Sequence, residues 1–287
     1  MHADSGHGVA GRLRDEVALR LRAAVDHLEI VSAGTVAEAR ALMAGARDRG
    51  LDVLVVLGGD GSAHQGVQFC AGTPVALGVI PAGTGNDLVR ALGMPLDTLA
   101  ATDVLVSALA EGRRRVVDLG RVGSAEWFAT VLCAGFDSAV NERVNRMRWP
   151  HGRRRYDLAI VAQLAALRAS PLVVRTGSET LELPATMVSV GNTRFYGGGI
   201  PICPDADPSD GLFDVTVVGK LPRRHLLRML PTLRSGAHIT HPAVTTLRAS
   251  SVHLGDSNGW LAYADGERIA PLPVDLTCVP GALTVVG

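Results

Sequence analysis

The chain has 287 residues, more than a single domain usually contains, so we expect two domains that share a cleft. Hydrophobic residues make up 47% of it and aromatic residues 4%, a composition typical of a compact α/β enzyme rather than a disordered or fibrous protein. The 28 basic and 28 acidic residues cancel. Because no global field then attracts nucleic acid, we expect no nucleic-acid partner.

The cysteines and the N-terminus indicate a compartment. The four cysteines lie far apart, with neither a Cys-x-x-Cys pair nor metal-ligand spacing to His, so we interpret them as core residues in a reducing environment. The N-terminus lacks an apolar signal core, and no segment approaches the length of a membrane span. We expect a cytoplasmic protein, free or peripheral to a membrane, with a homodimer as one assembly that the sequence allows.

The first 120 residues alternate helical and strand patterns. Apolar residues recur at helical spacing over Leu13–Val25 and Val36–Arg47, whereas Asp52–Leu57 and Val75–Ile80 are short apolar runs. This order predicts an N-terminal α/β nucleotide-binding domain over residues 1–120, with a parallel sheet covered on both faces.

In residues 121–287 the pattern changes to apolar runs typical of strands, which predicts a second domain that is mostly antiparallel sheet. One option is that its last strand returns to the first domain. The apolar runs that indicate strands are Trp127–Cys133, Ala185–Val190, Leu212–Val218 and Trp260–Tyr263. The arginine-rich segment Arg143–Arg155 precedes an apolar helical pattern at Tyr156–Leu167. It is either a solvated linker or a patch for anionic lipid headgroups or nucleotide phosphate.

A glycine-rich loop directly follows the first predicted strand. Gly58-Gly59-Asp60-Gly61-Ser62 separates Val53–Leu57 from a segment with helical character. Glycines between a strand and a helix expose backbone N–H groups to a phosphate, and the helix dipole adds attraction. Asp60 is a candidate magnesium ligand, and an ordinary βα turn is the alternative interpretation.

A second loop of the same kind follows the next strand. Pro81-Ala82-Gly83-Thr84-Gly85-Asn86-Asp87 opens a helical pattern at Leu88–Leu92. Two such loops lie side by side when their strands are neighbours in a parallel sheet, at the edge where these sheets bind ligands. Asn86 and Asp87 are also good helix N-cap residues, which is compatible with a ligand role.

The basic residues narrow the class of nucleotide site. Lys220 is the only lysine and lies outside any phosphate-binding context, which excludes a Walker P-loop and a protein kinase. Phosphate charge must then be met by backbone N–H groups, arginine and metal, with aspartates as the metal ligands.

Taken together, the motifs resemble the diacylglycerol kinase catalytic family, in its soluble bacterial lipid kinase branch. The resemblance covers nearly the whole chain in the family's order. It comprises Gly58–Ser62, Gly78–Asp87, Val117–Gly120, Gly197–Gly199 with Pro204–Gly211, and Asp265–Glu267. It implies an N-terminal domain like that of NAD kinases and phosphofructokinases, a C-terminal β-sandwich-like domain, and ATP and Mg²⁺ between them. It also implies phosphoryl transfer to a lipid hydroxyl, with the lipid substrate taken at a membrane surface.

The resemblance also implies roles for individual residues. Glu267 would be the general base, and Asp60, Asp87 and Asp118 would organise the catalytic magnesium through water. A second, structural magnesium would be held by Asp207, Asp210 and the carbonyl of Leu212. The expected ATP contacts are Ser5, Gly6, Ser32, Gly58, Gly59, Asp60, Gly61, Ser62, Gly83, Thr84 and Asn86.

This chain departs from the family pattern near the expected nucleotide site. The usual Asn-Glu after the glycine loop is His64-Gln65, Ser62 stands where Thr is commoner, and the opening strand with its Asn is absent. These differences leave open whether nucleotide affinity and turnover are weakened.

Several interpretations stay open on the residues alone. Asp265-Gly266 is also a favoured hairpin turn with Glu267 solvated behind it, and Asp205–Gly211 is also a plain acidic turn. The leading function is an ATP- and Mg²⁺-dependent lipid kinase that converts diacylglycerol to phosphatidic acid. The alternatives are an NAD kinase-like enzyme and a catalytically weakened nucleotide-binding regulator.

Overall fold

The N-terminal part of the chain alternates helices and strands. The computed structural model describes residues 9–124, 126–136, 138–140, 143, 162, 169–255 and 259–287. Its first elements are α1 (Val9–Arg22), α2 (Val36–Asp48), β1 (Val53–Gly58), α3 (Asp60–Cys70), β2 (Ala76–Pro81), α4 (Asp87–Ala91), α5 (Thr98–Ala110) and β3 (Arg114–Val122). The bounds differ from the sequence predictions by a few residues at most for α2, β1, β2 and α4.

Helices cover both faces of the N-terminal sheet. Strands β1 and β2 pair in parallel, from Val53 opposite Ala76 to Gly58 opposite Pro81. One face packs on α3 and α4 through side chains such as Val67 and Leu88, and the other packs on α1 and α5 through side chains such as Leu105. Because both faces are buried, these strands are nearly continuous apolar runs.

The C-terminal part is predominantly antiparallel sheet. Its elements are β4 (Glu126–Phe128), β5 (Val131–Gly135), β6 (Ser170–Thr176), β7 (Thr180–Gly191), β8 (Phe195–Tyr196), β9 (Ile200–Pro201), β10 (Phe213–Gly219), α6 (Arg223–Leu233), a 3₁₀ turn (Ala237–Thr240), β11 (Val244–Ala249), β12 (Ser251–Gly255), β13 (Leu261–Ala264), β14 (Glu267–Pro271) and β15 (Val274–Val286). Among the described residues, no helix has the length and apolar character needed to cross a bilayer.

The antiparallel strands enclose a hydrophobic core on one side. The strand order β15-β12-β6-β7-β5-β13-β14 is continuous with β1 and β2, and β7 also pairs with β10, which pairs with β11. Inward side chains from these strands meet in a single cluster, where the rings of Phe128 and Phe213 stack with centroids 5.6 Å apart. This arrangement, together with the helix-covered sheet, confirms the predicted α/β fold class.

Strand β15 joins the two parts of the molecule. Its first half pairs with β12, with Leu276 opposite Val252, and its second half reaches β2, with Val285 opposite Leu77. Strand β3 runs antiparallel to β15 along most of its length, with a register shift between Val279 and Leu283. The two sheets are therefore hydrogen-bonded to each other through one strand.

The structure splits one predicted strand in two. Trp127–Cys133 was expected as a single run, but β4 ends at Phe128 and β5 begins at Val131. The N–H groups of the intervening Ala129 and Thr130 donate to the side chain of Asp265 instead of a neighbouring strand. Apart from Arg143 and residue 162, the arginine-rich segment and the helical pattern at 156–167 lie outside the described residues.

Candidate active site

The two glycine loops touch each other, as the sequence predicts. They follow adjacent parallel strands, and the N–H of Ala82 donates to the carbonyl of Gly58 at 2.8 Å. A Cβ on Gly83 would lie 2.5 Å from the Cα of Gly59, so any larger residue would force the loops apart. Glycine is required here by close backbone approach rather than by an unusual dihedral angle.

Asp60 ties the first loop to the second. Its carboxylate accepts the N–H groups of Asn86 at 3.0 Å and Asp87 at 2.7 Å, which are the first N–H groups of α4. Asn86 has the left-handed φ of 56° and uses its own side chain to bridge both backbone groups of Gly83. The cap of α4 is therefore a side chain from the neighbouring loop, and a Cβ on Gly85 would collide with it at 2.2 Å.

Asp87 joins this pair of loops to the C-terminal part of the chain. Its carboxylate is buried and accepts the N–H groups of Gly198 at 2.9 Å and Gly199 at 2.7 Å, between β8 and β9. The pKa of Asp87 is raised to about 6, chiefly by burial and also by the charge of Asp60, against the lowering effect of the Gly198 and Gly199 N–H groups. Burial also raises the pKa of Asp60.

Asp118 makes the same kind of contact at the end of the acidic turn. Its buried carboxylate accepts the N–H groups of Gly211 at 2.7 Å and Gly281 at 2.8 Å, and its own N–H donates to the carbonyl of Pro208. The three carboxylates predicted to organise magnesium thus each accept two backbone N–H groups. A carboxylate has about four lone-pair positions, so each keeps capacity for a cation or its waters.

Glu267 lies beside the first glycine loop. Its Oε1 is 3.1 Å from the position that a Cβ on Gly61 would occupy. Glu267 opens β14 after a tight turn in which Asp265 has a φ of 53° and Gly266 a φ of 85°, so the predicted hairpin is present. The hairpin and the placement beside the loop are compatible, because the turn itself presents the side chain.

A cavity of about 1100 Å³ adjoins these residues. The first loop borders it through Gly59, Gly61 and Ser62, and Glu267 lines it together with β1 and residues 26–31. Thr84 and Ser32 are exposed, and Gly58 is buried at the end of β1. Ser5 and Gly6 lie outside the described residues, so their predicted contacts stay predictions.

Within the described residues, the acidic turn does not gather its carboxylates into a metal-binding group. Oδ1 of Asp207 accepts hydrogen bonds from the N–H and the hydroxyl of Ser209. Asp210 accepts the N–H of Leu212 and forms an ion pair with Arg248. Over the described ranges, no group of three or more His, Cys, Asp or Glu side chains is close enough to hold a metal. The second magnesium at Asp207, Asp210 and Leu212 therefore stays a prediction without support from this geometry.

Sequence reasoning missed the role of the Asp265 side chain. We treated Asp265 as a turn residue, but its carboxylate is buried and contacts Nδ1 of His64 at 3.1 Å. It also accepts the N–H groups of Ala129 and Thr130. No local pattern indicates this contact, because His64 and Asp265 are 201 residues apart in the chain.

Asn192 is a second residue that the sequence did not single out. Its buried amide donates to the carbonyl of Asp118 at 2.8 Å and to that of Ala129 at 2.9 Å. It thereby holds the backbone of β3 beside the Ala129–Thr130 break. A polar residue at the end of an apolar strand was the only available signal.

Comparison with known proteins agrees with the resemblance. Residues 1–122 match the model of the diacylglycerol kinase catalytic domain, and residues 130–287 match that of the YegS C-terminal NAD kinase beta sandwich-like domain. A Mycobacterium tuberculosis protein named diacylglycerol kinase is 45% identical over 289 residues, covering 98% of this chain and 92% of the relative. One of the same name from Staphylococcus saprophyticus is 27% identical over 272 residues, covering 94% and 88%.

Solved structures share the fold. A putative diacylglycerol kinase from Bacillus anthracis aligns with a TM-score of 0.81 at 20% identity, covering 99% of this chain and 94% of the other. An NAD kinase from Archaeoglobus fulgidus in complex with ATP aligns with a TM-score of 0.55 at 11% identity, covering 97% and 90%. At these identities the structures establish the fold alone, which is NAD kinase-like as predicted. With both domain models and the 45% identical relative, the chain belongs to the diacylglycerol kinase family.

Proposed function

We propose that this protein is a lipid kinase that transfers the γ-phosphoryl group of ATP to the free hydroxyl of diacylglycerol, giving phosphatidic acid and ADP. The observation that carries the proposal is the placement of Glu267, from the C-terminal part of the chain, next to Gly61 of the first glycine loop. A carboxylate facing a glycine loop at the start of a helix brings a proton acceptor to the place where phosphate is bound.

The nucleotide phosphates would bind at the N-terminus of α3. The first turn of this 11-residue helix carries backbone N–H groups without partners in the preceding turn, and its dipole favours negative charge. The adjoining cavity of about 1100 Å³ has room for a nucleotide. The contact between Gly59 and Gly83 brings the second loop against the same space.

The carboxylates of the two glycine loops fit Mg²⁺ by their chemistry. Asp60 and Asp87 lie on adjoining loops and keep lone pairs beyond the backbone N–H groups that they accept, so they would hold the ion together with water and the nucleotide phosphates. In the described part of the chain, these two and Asp118 do not form a group of three close enough to hold a metal by themselves. Burial raises the pKa of both Asp60 and Asp87, and a dication held beside them would favour their ionised forms. Mg²⁺ held there would neutralise phosphate charge during transfer.

Glu267 would act on the acceptor. Its carboxylate takes the proton of the lipid hydroxyl as that oxygen forms its bond to the γ-phosphorus and the bond from phosphorus to the β-bridging oxygen breaks. An exposed side chain at a turn suits this role, because the acceptor must approach from outside the protein. A lipid acceptor enters from a membrane surface, so we propose that the protein acts at one.

The fold leaves an NAD kinase-like activity as the competing proposal, because the Archaeoglobus fulgidus NAD kinase has the same architecture. One assay separates the possibilities: purified protein with labelled ATP and Mg²⁺, offered diacylglycerol, another lipid alcohol or NAD. We expect label in phosphatidic acid. Label in NADP would overturn the lipid kinase proposal, and ATP binding without any product would favour the regulator.

A further inference from the structure

His64 connects the helix of the first glycine loop to the turn that carries Glu267. Its imidazole is 3% exposed. Nδ1 lies 3.1 Å from Oδ2 of Asp265, and Nε2 lies 3.2 Å from the amide nitrogen of Gln68 and 3.4 Å from Oε1 of Glu126. Both ring nitrogens therefore have partners, and the orientation of the ring is fixed from two sides.

Asp265 is held even more firmly than His64. Besides the imidazole, its carboxylate accepts the N–H of Ala129 at 3.0 Å and the N–H and hydroxyl of Thr130 at 2.8 and 2.6 Å. Burial raises the pKa of Asp265, but the interactions with His64, Thr130 and Ala129 together outweigh it, and the net shift is downward. An ionised carboxylate with four donors fixes the left-handed backbone of its own turn.

Glu267 has no such anchor of its own. It is exposed, and within the described part of the chain its carboxylate makes no hydrogen bond or ion pair. Its place beside Gly61 follows from the backbone of the turn, where Glu267 pairs with Ala264 just before Asp265. Because His64 belongs to the same helix as Gly61, the contact with Asp265 sets the distance between loop and turn.

We propose that His64 is a positioning residue that holds the carboxylate of Glu267 at the first glycine loop through Asp265. The inference rests on the lipid kinase function proposed above and adds a residue to it. It also answers the open question of the effect of His at this position, since the imidazole supplies a contact between loop and turn.

A double-mutant cycle tests the proposal through Glu267. We expect His64→Ala to lower kcat about 10- to 100-fold, the range for loss of a hydrogen bond to a charged group. In a Glu267→Gln background, the same change should lower the residual single-turnover rate less than about 2-fold, because the positioned group is already gone. Equal losses in both backgrounds would show that His64 acts on the fold in general and would overturn the proposal.

A matched control uses the other His–Asp pair, in which Nδ1 of His253 lies 2.7 Å from Asp275 at an exposed site. His253→Ala should keep the wild-type kcat. If His64→Ala does not fold, His64→Leu, which removes both ring nitrogens but keeps most of the side-chain volume, replaces it in the cycle. In addition, ¹⁵N NMR of the wild-type imidazole must show a protonated Nδ1. An unprotonated Nδ1 at neutral pH would overturn the proposal. A wild-type protein that phosphorylates no lipid instead refutes the lipid kinase function, so the two failures are distinguishable.

A separate observation concerns helix α6. Its inner side chains Leu226, Met229 and Leu233 are buried, whereas Leu227 is 52% exposed. We call the outer stripe formed by Arg224, Leu227, Arg228 and Pro231 the α6 face; these residues are all exposed and recur at helical spacing. A leucine exposed between arginines can contact both the apolar and the anionic part of a lipid surface.

The charge around the α6 face is one-sided. No Asp or Glu occurs from residue 215 to residue 255, and the segment carries Lys220, Arg223, Arg224, Arg228, Arg234 and Arg248. In the part of the chain that the structure describes, only Arg248 among these forms an ion pair. In a chain whose formal net charge is zero, this local excess attracts an anionic surface.

The α6 face is also connected to the candidate active site. The buried side of α6 shares a hydrophobic cluster with Ile202, and Tyr196 and Ile200 pack against the same cluster. Those two residues pair across the β8–β9 hairpin, whose glycines donate to Asp87. A membrane in contact with α6 would therefore be connected to the two glycine loops through the β8–β9 hairpin.

We infer that the α6 face binds the anionic phospholipid surface from which the lipid substrate is taken, an inference that rests on the proposed function. Sedimentation with phosphatidylglycerol-containing vesicles tests it. Neutralising two arginines in Arg224→Gln/Arg228→Gln should weaken binding about 30-fold. The control Arg14→Gln/Arg22→Gln, which makes the same charge change on α1, should bind as wild type does.

Activity on detergent-dispersed diacylglycerol separates surface binding from chemistry. The α6 variant should retain wild-type kcat there while losing activity on vesicles. Equal vesicle binding by the α6 and α1 variants, or equal binding of the wild type to pure phosphatidylcholine, would overturn the inference. Vesicle binding without lipid phosphorylation would refute the kinase function but not the inference that the α6 face binds anionic lipid.

Discussion

The contact between Gly59 and Gly83 predicts that a single methyl group at residue 83 damages both stability and nucleotide binding. An Ala Cβ would lie 2.5 Å from the Cα of Gly59 and 3.0 Å from Oδ1 of Asn86. Backbone cannot rotate away as a side chain can, so the loops must separate. Overpacking of this kind costs about 1–3 kcal/mol, against which the lower entropy of the unfolded chain returns about 0.4–1 kcal/mol.

Gly177→Ala is the matched control. A Cβ on Gly177 meets no atom within 4 Å, and its φ is not in the left-handed region. Urea denaturation should therefore show Gly83→Ala less stable than Gly177→Ala by about 1–3 kcal/mol. Fluorescence titration with an ATP analogue should show weaker binding to Gly83→Ala alone. Equal stability and equal affinity of the two variants would refute the close approach of the loops.

Three further predictions concern single residues. Glu267→Gln should lower phosphoryl transfer by about 100-fold or more in the labelled-ATP assay while ATP affinity is retained; unchanged turnover removes Glu267 from the base role. The pKa of Asp87 is raised to about 6 in the folded state, so ionising this carboxyl lowers the free energy of unfolding by about 3 kcal/mol. This loss is absent below pH 4, where the carboxyl is protonated in both states, and complete above pH 6. Relative to wild type, Asp87→Asn should thus gain stability as pH rises from 4 to 7 in metal-free urea titrations, and a pH-independent difference contradicts the shift. Asn192→Ala leaves the carbonyls of Asp118 and Ala129 without their side-chain donor, so it should lower the free energy of unfolding by about 1–3 kcal/mol. A change under about 0.5 kcal/mol would argue against a stabilising role of these two hydrogen bonds.

The sequence predicted those parts of the fold and site that depend on local pattern. The apolar runs before Gly58 and Pro81 identify buried parallel strands, and neighbouring strands of one sheet bring their loops together. The change of texture after Asp118 likewise indicates the antiparallel part. These predictions rest on spacing that a few consecutive residues display.

The contacts that hold the site together were not predictable in the same way. The partners of Asp60, Asp87 and Asp118 are backbone N–H groups of other segments, which every residue except proline possesses. The sequence identifies the three carboxylates but not the backbone N–H groups to which they are hydrogen-bonded. The pairing of His64 with Asp265 was missed for the same reason. Local propensity also predicted an uninterrupted strand at Ala129 and Thr130, whose N–H groups instead donate to Asp265.

The position of β15 links assembly of the protein to completion of the chain. Strand β2 acquires its neighbour only when residues near Val285 arrive, and Asp118 receives one of its two donors from Gly281, 163 residues later. A nascent chain carrying only the first 122 residues has an open sheet edge that attracts other unpaired strands. We therefore expect the N-terminal sheet to complete its folding only after the C-terminal strand is translated, and truncation before Gly281 should destabilise the N-terminal part.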